Sequence, residues 1–591
     1  MGKILEIDLT AQATSIIPLD SKIANQFVGG SGYASRLLYD LMDARVDPLG
    51  PDNMLLYMTG PLTGTLAPST GRLVVCGKSP LTGFWGESHV GGHFGVKLKF
   101  SGFDGVLIRG QAKEPVYLHI KDADTEIHSA SDMWGMKTDE TQERLRKKLG
   151  RIRTACIGPA GEKLVRFAGI VTDERLAARC GLGAVMGSKN LKAIAVEGNQ
   201  RVELADREGF VALARESSKI LGDAMHHLRD MGTSLYVDVG IMFNDMPIKY
   251  FQETEFEADG LTAATMKEFL TGRTACYSCP IGCGRVVSLP EFGMGRVAGP
   301  EFQTIASFGT GLLISDLRKV SLMNYLCNQH GMDTISCGST ISFATYLCDL
   351  GKLDWGLEWN NPERVVELIH AIANRSGVGA ELAEGSMSFA QKHNVPELAL
   401  QVKGMEIPNH DPRAFAGMAT VYAVASRGAT HLEGDMYSID MGVDVREVGI
   451  YSGDRLENEG KGETAARAQD FRAFFDSLIL CHFAIVSPQT MIELLNKATG
   501  GSYSIEDILK IGARAVTLKR LFNLKCGLTG ADDNLPEPLL HPLPDHATDD
   551  FAPDIELQLN DYYDYRGWNR VTGVPSAEAL KRLDLEGLSS P

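Results

Sequence analysis

The sequence predicts an α+β protein, with a strand-rich N-terminal domain followed by two mainly α-helical ones. Three observations predict it. At 591 residues the chain is too long for one ordinary core, and a prior of about 150 residues per domain gives roughly three or four units. The first 200 residues read as strands and turns. From about residue 205 the apolar spacing turns helical. Domain boundaries are placed at 1–205, 206–405 and 406–591.

The elements justify this in order. "KILEIDL" and "PVYLHIKDA" alternate with period two, and "RLVVCG" and "GVLIRG" are short apolar runs bounded by glycine. Residues 51–110 hold 12 glycines in 60, against about 7% in average proteins, so the chain turns tightly or approaches something closely there. "CGLGAVMGSKNLKAIAVEG" resembles a dinucleotide fingerprint, but helix-like "TDERLAARC" precedes it and strand-like "KAIAVEG" follows too soon for a helix. It reads instead as a glycine-rich loop, with Arg179 and Lys189 close by for an anion. Further on, "NPERVVELIHAIANRSG" places Asn361 as cap, Pro362 at the first helical position and Gly377 as stop. "SDLRKVSLMNYLCNQHG" likewise runs from a Ser315 cap to Gly331. The last 50 residues read as Pro- and Asp-rich loops.

Composition narrows the function. Hydrophobic content of 44% and charged content of 23% are those of a soluble globular protein. A net charge of −17 argues against nucleic acid, which needs clustered Lys and Arg. No apolar run reaches the roughly 20 residues of a membrane span, and "MGKILEIDLT" reads as neither an export signal nor a myristoylation site. Eleven scattered cysteines without an export signal point to a reducing cytoplasm.

One cysteine group stands apart. "TACYSCPIGCGR" spaces Cys276, Cys279 and Cys283 as C-x2-C-x3-C. Zinc is the plainer reading, but a zinc ribbon repeats its C-x2-C about 15–20 residues on, and none follows. Iron–sulfur clusters commonly take three thiolates from one loop and a fourth from afar. Spacing leaves that fourth open among Cys76, Cys156, Cys180, Cys327, Cys337, Cys348, Cys481 and Cys526.

A family resemblance now becomes visible. "GPLTGTLAPSTGRLVVCGKSPLTG", "SHVGGHFGVKLKFSGFDGVLIRG", "RCGLGAVMGSKNLKAIAV", "CYSCPIGCGR", "GPEFQTIASFG", "GMDTISCG", "KGMEIPNHDPR", "ASRGATHLEG" and "ADDNLPE" follow one another in a resemblance that spans residue 1 to about residue 540. In that order they resemble the aldehyde:ferredoxin oxidoreductase family of tungsten enzymes. The resemblance implies a β-sandwich-like base and two helical domains enclosing a buried metal–pterin site. It implies tungsten, or molybdenum, on a bis-pyranopterin (molybdopterin), a 4Fe-4S cluster, and a magnesium ion bridging the pterin phosphates.

Site residues carry over one by one. Cys276, Cys279 and Cys283 match the cluster loop, and "DSLILC" matches a D-x-x-G-L-C motif at Asp476, Leu480 and Cys481, the implied fourth ligand. Ile479 stands where the motif has glycine. "NQHGMD" is the twin motif, with Gly331, Asp333 and Asn328, the last in an aspartate position. Arg72, Ser88, Gly91, Gly92, Arg179, Cys180, Gly181 and Gly183 match the cofactor cradle. His89 takes the place of an asparagine whose main chain contacts magnesium. Glu301 and His431 match the active-site acid and histidine, the acid as general base and the histidine as donor to the carbonyl oxygen. His410 stands where the family shows tyrosine in P-x-Y-D-P-R, bringing a titratable donor instead of a phenol.

The implied activity is oxidation of a small-molecule aldehyde to a carboxylic acid. Electrons would pass through the cluster to ferredoxin or an iron–sulfur electron-transfer subunit, within an oligomer or larger complex. A second reading is the catalytic subunit of a tungsten-dependent aryl-CoA reductase of the benzoyl-CoA type. A third is a cofactor-free scaffold subunit.

Overall fold

The computed structural model describes residues 2–122 and 124–588. The outer ends of the predicted first and third domains, Met1 and residues 589–591, lie outside the described residues, as does Ala123. Two six-stranded sheets build the N-terminal part. The first runs Ala13–Pro18, Lys3–Asp8, Gly105–Arg109, Leu55–Met58, Leu73–Lys78, Trp85–Val90 in spatial order. The second runs Arg175–Ala177, Ile170–Thr172, Arg153–Cys156, Leu191–Glu197, Val116–Lys121, Asp124–Ser129. Leu5, Tyr57, Val75 and Ile108 of the first sheet share one core with Leu118, Ala155, Ile194 and Val196 of the second. Two inner faces closing one core make a sandwich.

The strands expected from period-two and apolar runs form where they were read. The dinucleotide motif is excluded, but for a different reason. "TDERLAARC" is not helical: it contributes to the hairpin Ile170–Thr172 and Arg175–Ala177. A seven-residue helix, Leu182–Ser188, does fit after the glycines. The strands flanking that helix lie at different places in the sheet and are antiparallel through the chain of pairings, so no βαβ crossover exists. Lys189 also differs from its expected place. Its buried Nζ donates to the carbonyls of Pro51 and Gly110, both at 3.1 Å, and is spent on the backbone.

Beyond residue 205 helices dominate, beginning with Arg207–Ala224 capped by Asp206. A large core runs from Leu62 and Phe167 through Phe210, Phe343 and Phe474 to Leu539, uniting the predicted second and third domains and reaching into the first. The boundary at 405/406 falls inside the short strand Met405–Glu406. The region also holds a three-stranded sheet, Leu270–Thr274, Gly284–Leu289 and Met294–Ala298, that the helical reading passed over. Helix Pro362–Asn374 has its Asn361 cap, yet Arg375 in left-handed conformation ends it two residues before Gly377. Helix Leu317–His330 ends at Gly331 as expected, but Asp316 caps it, accepting from Arg318 and Lys319 N–H. A carboxylate at the cap outcompetes the Ser315 hydroxyl because it also meets the helix dipole. The last 50 residues include helices Ile555–Arg566 and Ala577–Arg582. Among the described residues no helix is long and apolar enough to cross a membrane.

Candidate active site

The cysteine run lies in the connection between strands Leu270–Thr274 and Gly284–Leu289, so a hairpin fixes both ends of the loop. Two backbone bonds tie it to the sandwich. Ser69 N–H donates to Ser278 O at 2.9 Å, and Tyr277 N–H donates to Gly92 O at 3.2 Å. Cys481 reaches the same place: its N–H donates to Ser69 O at 3.1 Å, while Ser69 Oγ meets Cys279 Sγ at 3.4 Å. Arg72 Nη1 lies 3.9 Å from Cys481 Sγ. A Cβ at Gly91 would sit 2.6 Å from Cys276 Sγ, so only glycine leaves room for that sulfur. Of the eight cysteines left open by spacing, Cys481 is the one that the fold brings to the loop.

Among the described residues no three cysteine sulfurs converge within 4.8 Å of one another. A tetrahedral zinc with Zn–S of about 2.3 Å needs sulfurs about 3.8 Å apart. Three thiols from one loop and a fourth from a distant segment is the pattern common in iron–sulfur clusters. Burial, with the Glu301 charge, pushes the Cys283 thiol up to about 12, and burial raises Cys481 as well. A bound metal draws off those protons, since the thiolate is the ligand. A cavity of about 540 Å³ opens beside the loop, bringing Gly92, Cys276 and Asn328 together with Arg146, Arg153 and Arg175.

The cradle residues come from three segments. Arg179, Cys180 and Gly181 take successive φ of 36°, 64° and 70°, left-handed backbone that costs side-chain-bearing residues about 1–3 kcal/mol each. A Cβ at Gly181 would lie 1.9 Å from Arg166 O. The turn aims Arg179 at Asp333 (3.2 Å) and at Glu406 O (2.6 Å). Asp333 also caps helix Thr334–Asp349, accepting from Ile335 and Ser336 N–H. Asn328 closes the helix before it, with Gly331 in left-handed conformation between them. Gly183 packs so near Gly169 O that a Cβ would fall 2.3 Å from it.

On strand Trp85–Val90 neighbours face opposite sides, so buried Ser88 points away from His89. His89 Nε2 lies 2.7 Å from Glu87 and 3.5 Å from Asp476. Burial would raise the Asp476 carboxyl, but His89 and His482 outweigh it and hold it at about 2. Asp476 occupies the last turn of helix Lys461–Leu478, which ends on Ile479 at φ 59°. A β-branched residue there is a genuine outlier, so the place that the motif gives to glycine keeps a glycine-like backbone at a cost. The turn buries Leu480 and delivers Cys481 to the loop.

These segments leave polar atoms without partners. Ser336 Oγ, Ser386 Oγ, Glu406 Oε2, His431 Nδ1 and His482 Nδ1 are buried with none. Interiors satisfy nearly all such groups, and a polar, many-edged ligand would supply the partners these lack. The residues fit a pterin.

The predicted catalytic residues divide. His410 and His431 have ring centroids 5.3 Å apart. Burial pushes His431 well below the usual histidine range. His410 stacks on Tyr437 at 4.3 Å and 5°, with Tyr236 at 5.1 Å and Phe302 at 5.3 Å. Glu301 precedes Phe302 but turns toward the cluster loop. Its carboxylate pairs with Arg175 at 2.9 Å and accepts from Thr233 Oγ1, and its side chain is 41% exposed. Glu301 is thus a paired, part-exposed carboxylate. Cys337 is a packed thiol, fully buried beside Cys327.

Sequence reasoning missed several partners. Asp245, Tyr236 and Tyr437 surround His410, and Arg175 holds Glu301. Lys519, buried within helix Ile505–Lys525, meets Glu87 at 2.7 Å. A charged residue inside an apolar helical stripe was the available signal for Lys519; Asp245, alone in "FNDMP", gave none.

Fold and site together define an oxidoreductase. The chain belongs to the aldehyde ferredoxin oxidoreductase family. Residues 4–198 match the family model described as "Aldehyde ferredoxin oxidoreductase, N-terminal domain", and residues 213–585 match "Aldehyde ferredoxin oxidoreductase, domains 2 & 3". It is 38% identical to the tungsten-containing aldehyde ferredoxin oxidoreductase of Pyrococcus furiosus, over 99% of this chain and 98% of that one. The enzyme of the same name from Thermococcus kodakarensis is also 38% identical, over 98% of each chain. Among solved structures, the active-site complex BamBC of benzoyl coenzyme A reductase with 1,5-dienoyl-CoA superposes with a TM-score of 0.85. Identity there is 25%, covering 99% of this chain and 97% of that chain.

Proposed function

We propose that this protein oxidises an aldehyde to a carboxylic acid and passes two electrons through a 4Fe-4S cluster to a ferredoxin-like acceptor. The observation that carries the reading is the arrival of Cys481 at the Cys276–Cys283 loop under Arg72. The full-length match to tungsten-containing aldehyde ferredoxin oxidoreductases supports it. All eleven cysteines are free thiols, as in a reducing cytoplasm.

Arg72, Ser88, His89, Gly91, Gly92 and the Arg179–Gly183 turn would hold a bis-pyranopterin from the sandwich side. Asn328, Gly331 and Asp333 would take one ring system, and Asp476 and Leu480 the other, with magnesium between the phosphates. When bound, the tungsten group supplies a Lewis acid and two-electron acceptor. The chain does the rest. His431, kept neutral by burial, donates a hydrogen bond to the carbonyl oxygen. Glu301 takes the proton released as the C–H bond is oxidised, and Arg175 restores its charge partner afterwards. Tyr236, packed against both Phe302 and Tyr437, would form the aromatic wall beside the substrate.

The benzoyl-CoA reductase likeness keeps a second reading, reduction of an aryl-CoA thioester. An anaerobic viologen-dye assay separates them. Aldehydes should reduce the dye; turnover of aryl-CoA thioesters without aldehyde oxidation would sink the first reading.

A further inference from the structure

We propose that Asp245 is a positioning residue that sets the tautomer of His410, making its Nε2 the proton acceptor for water in the aldehyde pocket. The proposal rests on the aldehyde-oxidising reading. Its geometric basis does not.

His410 Nδ1 lies 2.6 Å from Asp245 Oδ2, and both side chains are almost completely buried. The two segments are pinned a second time through the backbone, where Asp411 N–H donates to Asp245 O at 2.8 Å. Tyr422 Oη donates to His410 O at 2.8 Å. Tyr437 covers one face of the imidazole, and Tyr236 and Phe302 crowd its edges. Position and rotation are therefore over-determined, and among the described residues Nε2 makes no hydrogen bond. The His410 side chain is 4% exposed, and the His431 ring lies 5.3 Å away.

A carboxylate on Nδ1 requires Nδ1–H, which leaves the lone pair on Nε2. Burial raises the Asp245 carboxyl while His410 opposes it, as in a shared buried pair. Glu301, paired with Arg175 and Thr233, serves the later C–H oxidation, and His410 Nε2 serves the earlier attack of water. The step balances. A water oxygen bonds to the carbonyl carbon, its proton passes to Nε2, and the carbonyl oxygen takes a proton from solvent, giving the aldehyde hydrate. Oxidising the hydrate to the acid releases two electrons to the iron–sulfur acceptor and two protons, and Nε2 returns its own proton to solvent. This chain thus replaces a phenol by a carboxylate-oriented imidazole, suited to hydrating an aldehyde that is not already hydrated in water.

The test compares Asp245→Asn, His410→Tyr and the double variant, each checked for wild-type iron and tungsten. Asp245→Asn should lower kcat by about 10²–10³-fold with KM changed less than about threefold. In the His410→Tyr background, where no imidazole remains to orient, Asp245→Asn should add no further loss. A second readout needs no turnover: nitrogen-15 NMR of histidine-labelled, oxidised protein, with His410 assigned by its absence in His410→Tyr. His410 should be the Nδ1–H tautomer in the wild type and Nε2–H in Asp245→Asn. An Nε2–H wild type, losses that multiply in the double variant, or an unchanged kcat in Asp245→Asn would each overturn the proposal. A wild type inactive on aldehydes but with His410 as Nδ1–H would sink the functional reading and leave the dyad standing.

Discussion

Cys481 shows how one residue joins distant parts of the chain. Its main chain bonds Ser69, Ser69 touches Cys279, and Arg72 lies against its sulfur. Cys481→Ser should abolish the four-iron signal in electron paramagnetic resonance, whereas Cys337→Ser, altering a packed thiol, should leave it intact. Gly91→Ala should also damage the cluster, because its Cβ would lie 2.6 Å from Cys276 Sγ; iron content measures this. Glu87 makes a different prediction. It is fully enclosed by Lys519 (2.7 Å), His89 (2.7 Å), Trp85 Nε1 (2.9 Å) and Ser31 Oγ (2.9 Å). Lys519→Met removes its strongest counter-charge, and urea unfolding should show a loss of about 3–5 kcal/mol. At this scale the sequence was legible where residues come in spaced motifs, as Cys276, Cys279 and Cys283 do. Asp245 and Lys519 act through partners 165 and 432 positions away, by the arithmetic 410 − 245 and 519 − 87, and no local pattern carries that.

Elements were legible where capping and periodicity agree. Asn361 and Pro362 begin their helix as read, and Gly331 ends its own. The hairpin around the cysteines was not legible: "LTGRT" and "GRVVSL" are short and flank residues whose chemistry dominates the pattern. The helix pair Leu317–His330 and Pro362–Asn374 yields a pH prediction. His330 Nε2 and His370 Nδ1 lie 2.9 Å apart, and burial, with His370, pushes His330 down to about 4 from 6.5. The unfolded chain binds a proton near 6.5, while the folded one resists until about 4. The neutral pair's contribution is therefore complete above about pH 6.5 and is lost as the pH falls toward 4. Thermal melts should show Tm falling across that window in the wild type, and falling less in His330→Gln. Equal falls would show that this pair is not responsible.

At the scale of the molecule, the texture change near residue 205 was legible because period two and period 3.6 differ in any local window. The core shared by residues 206–405 and 406–591 was not visible, since it is made by contacts between segments hundreds of residues apart. The site sits where all three predicted regions meet: Arg72 and Arg179 from the sandwich, Cys276 and Asp333 from the middle, Asp476 and Cys481 from the last. A redox centre held at such a junction, as we propose, would be shielded from water and would reach the outside through the cysteine loop. Metal and iron analysis of anaerobically purified protein tests this account most directly. It predicts about four iron atoms and one tungsten or molybdenum per chain; zinc bound with neither iron nor tungsten or molybdenum would contradict it.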